Sequence, residues 1–475
     1  MPSKREMMMT KRPNILLLFT DQQRKDSLGC YGNDIAVTPN IDDLANQGAK
    51  FEHFFTQAPI CGPSRVSLLT GRYCSSHGIG ANGPVVPEEL LTIQKRLKPY
   101  GYKTANFGKL HFLPHSFRDH REHHPSYGFD EYVISDEPGC YDDPYTEWVK
   151  QKAPEQLDAV RTALPSQARR FGRPEYSDRK RDPETPFSFE GDESLTHSSF
   201  VTELTRDFIE RQEQSHDPFF CIAGYYAPHA PVNPPKRFLD LYKTEDMPLP
   251  KVGKSEAIMA KLKDFSDDEW REIRRYYMAL VSHVDDCVGG VVQSLKDTGQ
   301  YDNTIIVFVS DHGEYLGDHG RVQKGMPGED VITNVPFIIH YPKGIKPQAY
   351  TQLVESVDWV PTMLELAGIP LSQDIQGESL APLMSGRVDT HKSLILTEQF
   401  EPYGLRQVSI RDEKFRYYSD SEGKELLFDL EVDPDELESV AQDPSYSEIL
   451  SMMRFKMLQK IQQVAYPNVE KIFAY

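Results

Sequence analysis

A short motif around Cys61 combines a nucleophile with residues that begin a helix. The run Cys61-Gly62-Pro63-Ser64-Arg65 precedes an apolar stretch, and Pro63 suits the first turn of a helix because proline lacks an amide proton. Cys61 would then lie at a helix N-terminus, where free backbone N–H groups and the helix dipole favour negative charge. The motif therefore predicts a cysteine that acts on an anion. Short motifs recur by chance, so an inert cysteine before a helix is the alternative.

Residues that bind metals and anions follow several apolar runs. Asp21-Gln22 follows residues 14–20, and Asp311-His312 follows residues 304–309. Four basic residues also come after predicted strands or in the loops near them: Lys109, His111, His229 and Lys324. A lone residue of this kind is usually structural, but joint placement at strand ends favours one shared site.

Apolar runs that alternate with helical spacing predict an α/β fold. The predicted strands lie at residues 14–20, 104–112, 219–226, 304–309 and 337–341. Helical spacing extends over residues 267–296, and shorter helices are predicted after Thr38 and at residues 357–367. We expect a large, mainly parallel sheet flanked by helices, with ligands bound at the carboxyl ends of its strands.

The pattern changes beyond about residue 375. Short predicted strands with hairpin turns lie at residues 393–400, 407–410, 415–419 and 426–430, before a closing helix at 445–464. We expect a catalytic α/β domain over residues 1–375 and a smaller α+β subdomain with an antiparallel sheet over residues 376–475. Residues 115–195 are polar and aperiodic, which predicts a long surface insertion that carries substrate selectivity.

The longer run CGPSRVSLLTGR, which begins at Cys61, resembles the motif of the type I sulfatases, members of the alkaline phosphatase superfamily. The resemblance extends from Arg12 to about Asp443, and the strand-end pairs lie where that family places its metal ligands. It implies an alkaline-phosphatase-like sandwich and hydrolysis of sulfate esters. Gln22 stands where many relatives have a second Asp, and His312 stands where some have Asn.

The resemblance also implies a modified nucleophile. In that family the motif cysteine is oxidised to formylglycine by a formylglycine-generating enzyme, which reads the Cys-x-Pro-x-Arg core that Cys61, Pro63 and Arg65 match. Hydrated formylglycine is a geminal diol. One hydroxyl attacks sulfur in line and the alcohol leaves, and the second hydroxyl expels sulfate as the aldehyde re-forms.

The family's roles carry over to matching positions of this chain. The implied metal ligands are Asp21, Gln22, Cys61, Asp311 and His312. A mostly oxygen ligand set favours a hard cation, with Ca²⁺ first and Mg²⁺ or Mn²⁺ behind. The other implied catalytic residues are Arg65 beside the nucleophile, Lys109 and Lys324 on the sulfate, His111 on the diol and His229 as leaving-group acid. Asn82 is expected to bind substrate together with Lys109, His229 and Lys324.

Net charge limits the partners. The 475 residues hold 53 Lys and Arg against 72 Asp and Glu, a formal charge of −19. This balance argues against nucleic acid and against polybasic membrane binding. No apolar run has the length of a signal peptide core or a membrane span. We expect a cytoplasmic enzyme that acts on small or oligomeric sulfate esters, and nothing in the pattern excludes a homo-oligomer.

Two alternatives stay open. A phosphonate monoester hydrolase or phosphodiesterase of the same superfamily has similar metal ligands, although the Lys109-x-His111 pair favours a sulfatase. Cys61 without modification would leave a metal protein that only binds an anion, but such a protein would have no use for a leaving-group acid. The sequence does not identify the alcohol part of the substrate, which could be a sugar, an aryl or an alkyl group.

Overall fold

The computed structural model describes residues 12–116, 118–169, 179, 181–215, 217–254, 265–401 and 403–465. The strands are β1 Asn14–Asp21, β2 Ala49–Phe51, β3 Phe54–Phe55, β4 Lys103–Gly108, β5 Glu131–Ile134, β6 Phe219–Pro228, β7 Thr304–Ser310, β8 Phe337–His340, β9 Gln348–Tyr350, β10 Val354–Glu355, β11 Ile395–Phe400, β12 Arg406–Arg411, β13 Phe415–Asp420 and β14 Glu425–Asp429. The α-helices are α1 Pro39–Asn46, α2 Cys61–Thr70, α3 Cys74–His77, α4 Ile93–Leu97, α5 Pro144–Lys152, α6 Leu157–Val160, α7 Ser166–Arg169, α8 His197–Gln212, α9 Lys236–Leu239, α10 Asp267–Asp297, α11 Asp330–Thr333, α12 Trp359–Leu366, α13 Ala381–Met384 and α14 Ser447–Val464.

Strand β1 lies near the middle of a large sheet and is buried along its whole length. Among the described residues eight strands form this sheet in the order β5-β4-β6-β1-β7-β8-β2-β9. Strand β8 runs antiparallel to both of its neighbours, and the other paired strands are parallel. Apolar side chains cover both faces, with α10 and α8 packed on one of them and α2 and α12 on the other. The expected mainly parallel α/β sheet is confirmed.

The C-terminal region forms a second sheet. Strands β11, β12, β13 and β14 pair in sequence order, all antiparallel, and α14 packs its buried Leu450, Met453 and Met457 against them. The antiparallel sheet expected here is confirmed, whereas the domain boundary near residue 375 stays a prediction. In the part of the chain that the structure describes, no helix is both long and apolar enough to cross a bilayer.

Two local expectations differ from the structure. The strand expected at residues 104–112 ends at Gly108, because Asp136 Oδ1 accepts the backbone N–H groups of Leu110 at 2.9 Å and His111 at 2.8 Å and turns the chain. The expected surface insertion at residues 115–195 instead supplies β5 at the edge of the large sheet. Its buried side chains, such as Tyr145 and Val149, join the same core.

Candidate active site

The carboxyl ends of four parallel strands gather the predicted site residues at one edge of the sheet. Asp21 ends β1, and Asp311 directly follows β7, whose Ser310 pairs with Thr20. Lys109 comes directly after β4, and His229 comes directly after β6. A Cβ at Gly224 of β6 would lie 2.4 Å from the Lys109 backbone oxygen, so glycine is required where the two chains meet.

Cys61 begins α2, a helix whose ten residues are all buried. Gly62 N donates to Asn82 Oδ1 at 2.9 Å, which satisfies one of the N–H groups left free at a helix start. Ser64 Oγ donates to the Asp311 backbone oxygen at 2.6 Å and so ties the helix to the end of β7. These contacts fix the position of the thiol. They also show that the Asn82 oxygen supports the helix start.

Cations surround the Cys61 thiol. Lys324 Nζ lies 2.7 Å from Sγ, His312 Nε2 lies 3.1 Å away, and Asp21 Oδ1 lies 3.7 Å away. Burial and Asp21 raise the pKa of the thiol, but Lys324, Lys109 and His312 outweigh them and leave it below its usual value. The electrostatic field at residue 61 therefore favours an anion.

Two buried carboxylates lie beneath the thiol and are held by basic side chains. Arg65 Nε donates to Asp311 Oδ2 at 2.7 Å, and its NH2 lies 3.4 Å from Asp21 Oδ2. Lys109 Nζ lies 2.5 Å from the same Asp21 oxygen. Burial alone would raise the pKa of Asp21, but Lys109, His229, Lys324 and Arg65 hold it well below its usual range. Asp21 is therefore ionised, and both of its basic partners are fixed in place.

The residues at this edge fit a divalent cation. Asp21, Cys61, Asp311 and His312 each offer one ligand atom within 4.8 Å of the others, and of the described residues only these form such a group. His312 Nδ1 donates to the Gly313 oxygen at 2.8 Å, which leaves the Nε2 lone pair free in the neutral ring. Gln22 Oε1 is buried without a hydrogen-bond partner. An orphaned amide oxygen beside two carboxylates is the donor set that a hard cation prefers.

Sequence reasoning missed the residue that orients Gln22. The Gln22 Nε2 group donates to Glu314, a buried carboxylate. The Gln22 Oε1 atom therefore points away from Glu314. Glu314 comes three residues after Asp311 in the same loop. That proximity is the only sequence signal for its role, because nothing in the motif distinguishes it from an ordinary loop carboxylate.

His111 and His229 both lie close enough to Lys109 to interact with it electrostatically. The ring of Tyr226 packs 4.4 Å from Lys109 Nζ and 4.6 Å from the His229 ring. Burial and Lys324 hold the pKa of His229 well below its usual value, and its Nδ1 donates to the Ala230 oxygen at 2.7 Å. Burial and His115 likewise lower the pKa of His111, whose Nδ1 has no hydrogen-bond partner.

Residues 13–369 match the family model described as Sulfatase, and residues 317–463 match the model described as N-sulphoglucosamine sulphohydrolase, C-terminal. The chain belongs to the sulfatase family. An arylsulfatase of Clostridium perfringens is 30% identical over 95% of this chain and 95% of its own. An N-acetylglucosamine-6-O-sulfatase of Bacteroides thetaiotaomicron is 28% identical over 94% of this chain and 85% of its own. The fold is also that of a phosphonate monoester hydrolase from Silicibacter pomeroyi, with a TM-score of 0.80 at 23% identity over 95% and 96% of the two chains.

This sulfatase is a sulfate-ester hydrolase, and the carboxyl edge of its sheet holds every residue that the sequence placed in the site. The contacts that these residues make divide them into two groups. Asp21, Asp311 and His312 each offer a ligand atom close to Cys61, and both carboxylates contact Arg65. The groups left for an anionic substrate are two ammoniums and two imidazoles, which belong to Lys109, Lys324, His111 and His229.

The stretch after β4 holds four histidines, namely His115, His120, His123 and His124. His120 is 3% exposed and stacks on Tyr141 with ring centroids 4.1 Å apart, and His115 stacks on His111 at 4.0 Å. His123 alone among the four is exposed. The stretch forms no metal group among the described residues. Only His115 packs directly on a residue of the proposed site, namely His111, and periodicity could not indicate this contact.

Proposed function

We propose that this sulfatase cleaves a sulfate monoester with a formylglycine made from Cys61 and a divalent cation, Ca²⁺ before Mg²⁺ or Mn²⁺. Asp21, Gln22, Asp311 and His312 would hold the cation, together with residue 61. The observation that carries the proposal is one buried thiol that lies with two buried carboxylates, while Lys324 contacts the thiol and Lys109 and Arg65 contact the carboxylates. A formylglycine-generating enzyme would supply the modification.

Lys109 and Lys324 would bind the sulfate oxygens. Lys324 Nζ already contacts Cys61 Sγ at 2.7 Å, and Lys109 sits between Asp21 and Tyr226. Fixed ammonium groups in a site without bulk water stabilise the charge that develops on the oxygens in the transition state. A cation, when bound, would add positive charge at the nucleophile and at the sulfate oxygens.

His229 would donate a proton from Nε2 to the leaving alcohol oxygen, after the bound sulfate anion has favoured the protonated ring. Its Nδ1 is committed to the Ala230 oxygen at 2.7 Å, which leaves Nε2 for proton exchange. His111 would take the proton when sulfate is expelled, since its Nδ1 has no other partner. Arg65 would act differently, because it holds Asp311 and Asp21, with its guanidinium 4.2 Å from the Phe19 ring, and cannot also reach substrate.

Phosphonate monoester or phosphodiester hydrolysis is the second candidate, because the fold resembles that of a phosphonate monoester hydrolase. Kinetics on an aryl sulfate, a phosphonate monoester and a phosphodiester test the choice. We expect the highest kcat/KM on a sulfate ester. A higher value on either phosphorus substrate would reject the proposal.

The modification is tested by mass spectrometry of the peptide that contains Cys61, isolated from the native host. We expect the aldehyde or its hydrate. A peptide with only the intact thiol would reject the formylglycine mechanism, and the substrate kinetics would then show whether any hydrolase activity remains.

A further inference from the structure

The ring of His111 has an aromatic neighbour that the motif does not contain. The ring of His115 stacks on it, with centroids 4.0 Å apart and planes at 26°. The His115 side chain is 10% exposed, so the stacked pair lies at the rim of the buried site. Neither the motif nor the proposed reaction gives His115 a role.

The backbone of His111 is held in an unusual conformation. Its φ angle is 62°, in the left-handed region that residues with a Cβ rarely adopt. Asp136 Oδ1 accepts the N–H groups of Leu110 at 2.9 Å and of His111 at 2.8 Å, and so fixes this turn. Strained backbone of this kind clusters at functional sites. The turn therefore fixes the point from which the His111 side chain extends.

The ring of His111 needs a second restraint, because a fixed backbone does not set its rotation. The terminal torsion of a histidine side chain is broad, and among the described residues no hydrogen-bond partner holds Nδ1 of His111. The plane of the ring therefore depends on packing. The stacked ring of His115 supplies this packing on one face.

The ring of His115 is itself anchored by Glu137. Burial alone would raise the pKa of Glu137, but His115 and Lys109 hold it below its usual value, so the side chain is a carboxylate. The His115 Nδ1 atom lies 2.9 Å from Glu137 Oε1, and since a carboxylate only accepts, Nδ1 carries the proton. The backbone oxygen of His115 also accepts from His120 Nε2 at 2.8 Å. Both the ring and the backbone of His115 are thus held.

Two consecutive carboxylates therefore act on His111. Asp136 binds its backbone, and Glu137 binds the ring that stacks on it. We propose that His115, fixed by Glu137, is a positioning residue that holds the His111 ring in place for the expulsion of sulfate.

The step concerned is the second one of the proposed reaction. The free hydroxyl of residue 61 gives its proton to His111, the aldehyde C=O bond forms, and the C–O bond to sulfate breaks, with its electron pair leaving on sulfate. The inference rests on the proposed function, because that function makes His111 the base of this step.

Loss of His115 should slow only this second step. Release of the alcohol comes first, so His115→Ala should leave kcat/KM for 4-nitrophenyl sulfate within roughly three-fold of wild type. We expect kcat to fall by about 10- to 100-fold, with KM falling in parallel, because a positioned base contributes about 10²- to 10⁴-fold. A burst of 4-nitrophenol should precede the slow phase. Mass spectrometry of the quenched enzyme should show sulfate bound at residue 61.

Three comparisons separate positioning from general damage. In a double-mutant cycle, His115→Ala should add little to the loss caused by His111→Ala, since His115 then has no ring to position. Glu137→Gln keeps an oxygen that accepts from the His115 Nδ1 group, and it should retain more of kcat than Glu137→Ala does. His123→Ala changes an exposed histidine of the same stretch that hydrogen-bonds Tyr132, and it should alter neither kcat nor KM.

Three kinetic outcomes would overturn the inference. An unchanged kcat in His115→Ala would mean that the stacking has no role. Losses from His115→Ala and His111→Ala that multiply would mean that His115 acts on another group. A fall in kcat/KM without a sulfated intermediate would mean that His115 supports the site as a whole.

Crystal structures of wild type and His115→Ala test the positioning without turnover. A His111 ring that rotates or takes two orientations in the variant supports the inference, and an unmoved ring contradicts it. If wild type hydrolyses no sulfate ester at all, the proposed function fails, and these structures still decide whether His115 positions His111.

Discussion

Two buried charge clusters in this molecule have similar composition and different states of pairing. The catalytic cluster comprises Asp21, Arg65, Lys109, Asp311 and Lys324 with the Cys61 thiol. The ion-pair cluster lies between the end of β10, the start of α12 and the start of β11, and comprises Glu355, Asp358, His391, Lys392 and Lys460. Both hold carboxylates that are 0% exposed.

The ion-pair cluster satisfies its charged groups completely. Lys392 Nζ lies 2.8 Å from Glu355 Oε2 and 2.6 Å from Asp358 Oδ1. His391 Nε2 lies 3.0 Å from Asp358 Oδ2, and Leu396 N donates to Glu355 Oε1 at 2.8 Å. Burial alone would raise the pKa of Asp358, but Lys392 and His391 hold it below its usual range. This cluster ties β11 of the C-terminal sheet to β10 and to the start of α12.

Two residues close in sequence to members of the catalytic cluster carry polar atoms without partners. Gln22 Oε1 and His111 Nδ1 are both buried and unpaired, although each lies within reach of charged groups. Leaving such atoms unpaired costs stability, and proteins tolerate that cost where a ligand completes the pairing. The comparison teaches that the two clusters differ in the pairing of their neighbouring polar side chains and not in their charge density.

Replacing the nucleophile should have the largest effect. Cys61→Ala removes the group that attacks sulfur and should lower kcat by at least about 10³-fold. The helix contacts of Gly62 and Ser64 remain, so the melting temperature should change little. Cys74→Ala is the matched control, since Cys74 is another buried free cysteine, and it should keep its activity. Substantial turnover by Cys61→Ala would contradict the assigned role.

Removal of metal should come next. Chelation should lower turnover by at least about 10²-fold, because a cation stabilises transition-state charge by several kcal/mol. It should also lower the melting temperature, since a ligand that binds only the folded state stabilises it. Ca²⁺ should restore both better than Mg²⁺ or Mn²⁺. Full activity in protein shown by elemental analysis to be free of metal would reject the cation's role.

Breaking the fully paired cluster should affect stability and not chemistry. Lys392→Met keeps the volume of the side chain but leaves Glu355 and Asp358 without their shared cation, which should lower the free energy of unfolding by about 3–5 kcal/mol. The value of kcat per folded molecule should not change. Lys414→Met removes an exposed pair with Glu431 at 2.9 Å and should leave the free energy of unfolding nearly unchanged, because solvent screens exposed ion pairs. Equal losses in the two variants would mean that the buried cluster has no special role.

The most gradual effect concerns pH, because it builds up over several pH units. Burial and Arg72 lower the pKa of His77 to about 3, and Ile79 N donates to its Nδ1 at 3.1 Å, so the folded state holds the neutral ring. The unfolded chain therefore binds a proton that the folded chain does not, and stability falls as pH drops from about 6.5 towards 3, by at most about 1.4 kcal/mol per pH unit.

Unfolding midpoints at several pH values measure this slope. His77→Gln should make it shallower between pH 6.5 and 4 (roughly the window of partial protonation), while His123→Gln at an exposed position should leave it unchanged. An identical slope in wild type and His77→Gln would show that other groups control the acid response.

The main strands and the residues at their ends could be predicted because both depend on local pattern. Asp21, Asp311 and the Cys61 motif follow or begin apolar segments whose type is evident from composition alone. The reversed direction of β8 had no such signal, since the apolar run at 337–341 fits a parallel or an antiparallel strand equally well.

The supporting carboxylates could not be predicted. Asp136, Glu137 and Glu314 contact the site only because distant segments meet, and each looks in the sequence like any loop acid. The edge strand β5 was missed for a related reason. Of its residues Glu131–Ile134, the first three are half-buried and only the last is fully buried, which gives neither a clean alternation nor a continuous apolar run.

The complete burial of α2 limits when residue 61 can be changed. The Cys61 side chain is 1% exposed, and the helix that carries it has no exposed residue. An enzyme that must bind the five residues Cys61–Arg65 has no access to them once they are buried in the folded protein. If the proposed oxidation of Cys61 takes place, it must occur before the sheet assembles. Oxidation and folding of each chain therefore compete. Folding that is faster than oxidation would then yield stable but inactive molecules. The active fraction of a preparation would equal the fraction of chains that were oxidised before they folded.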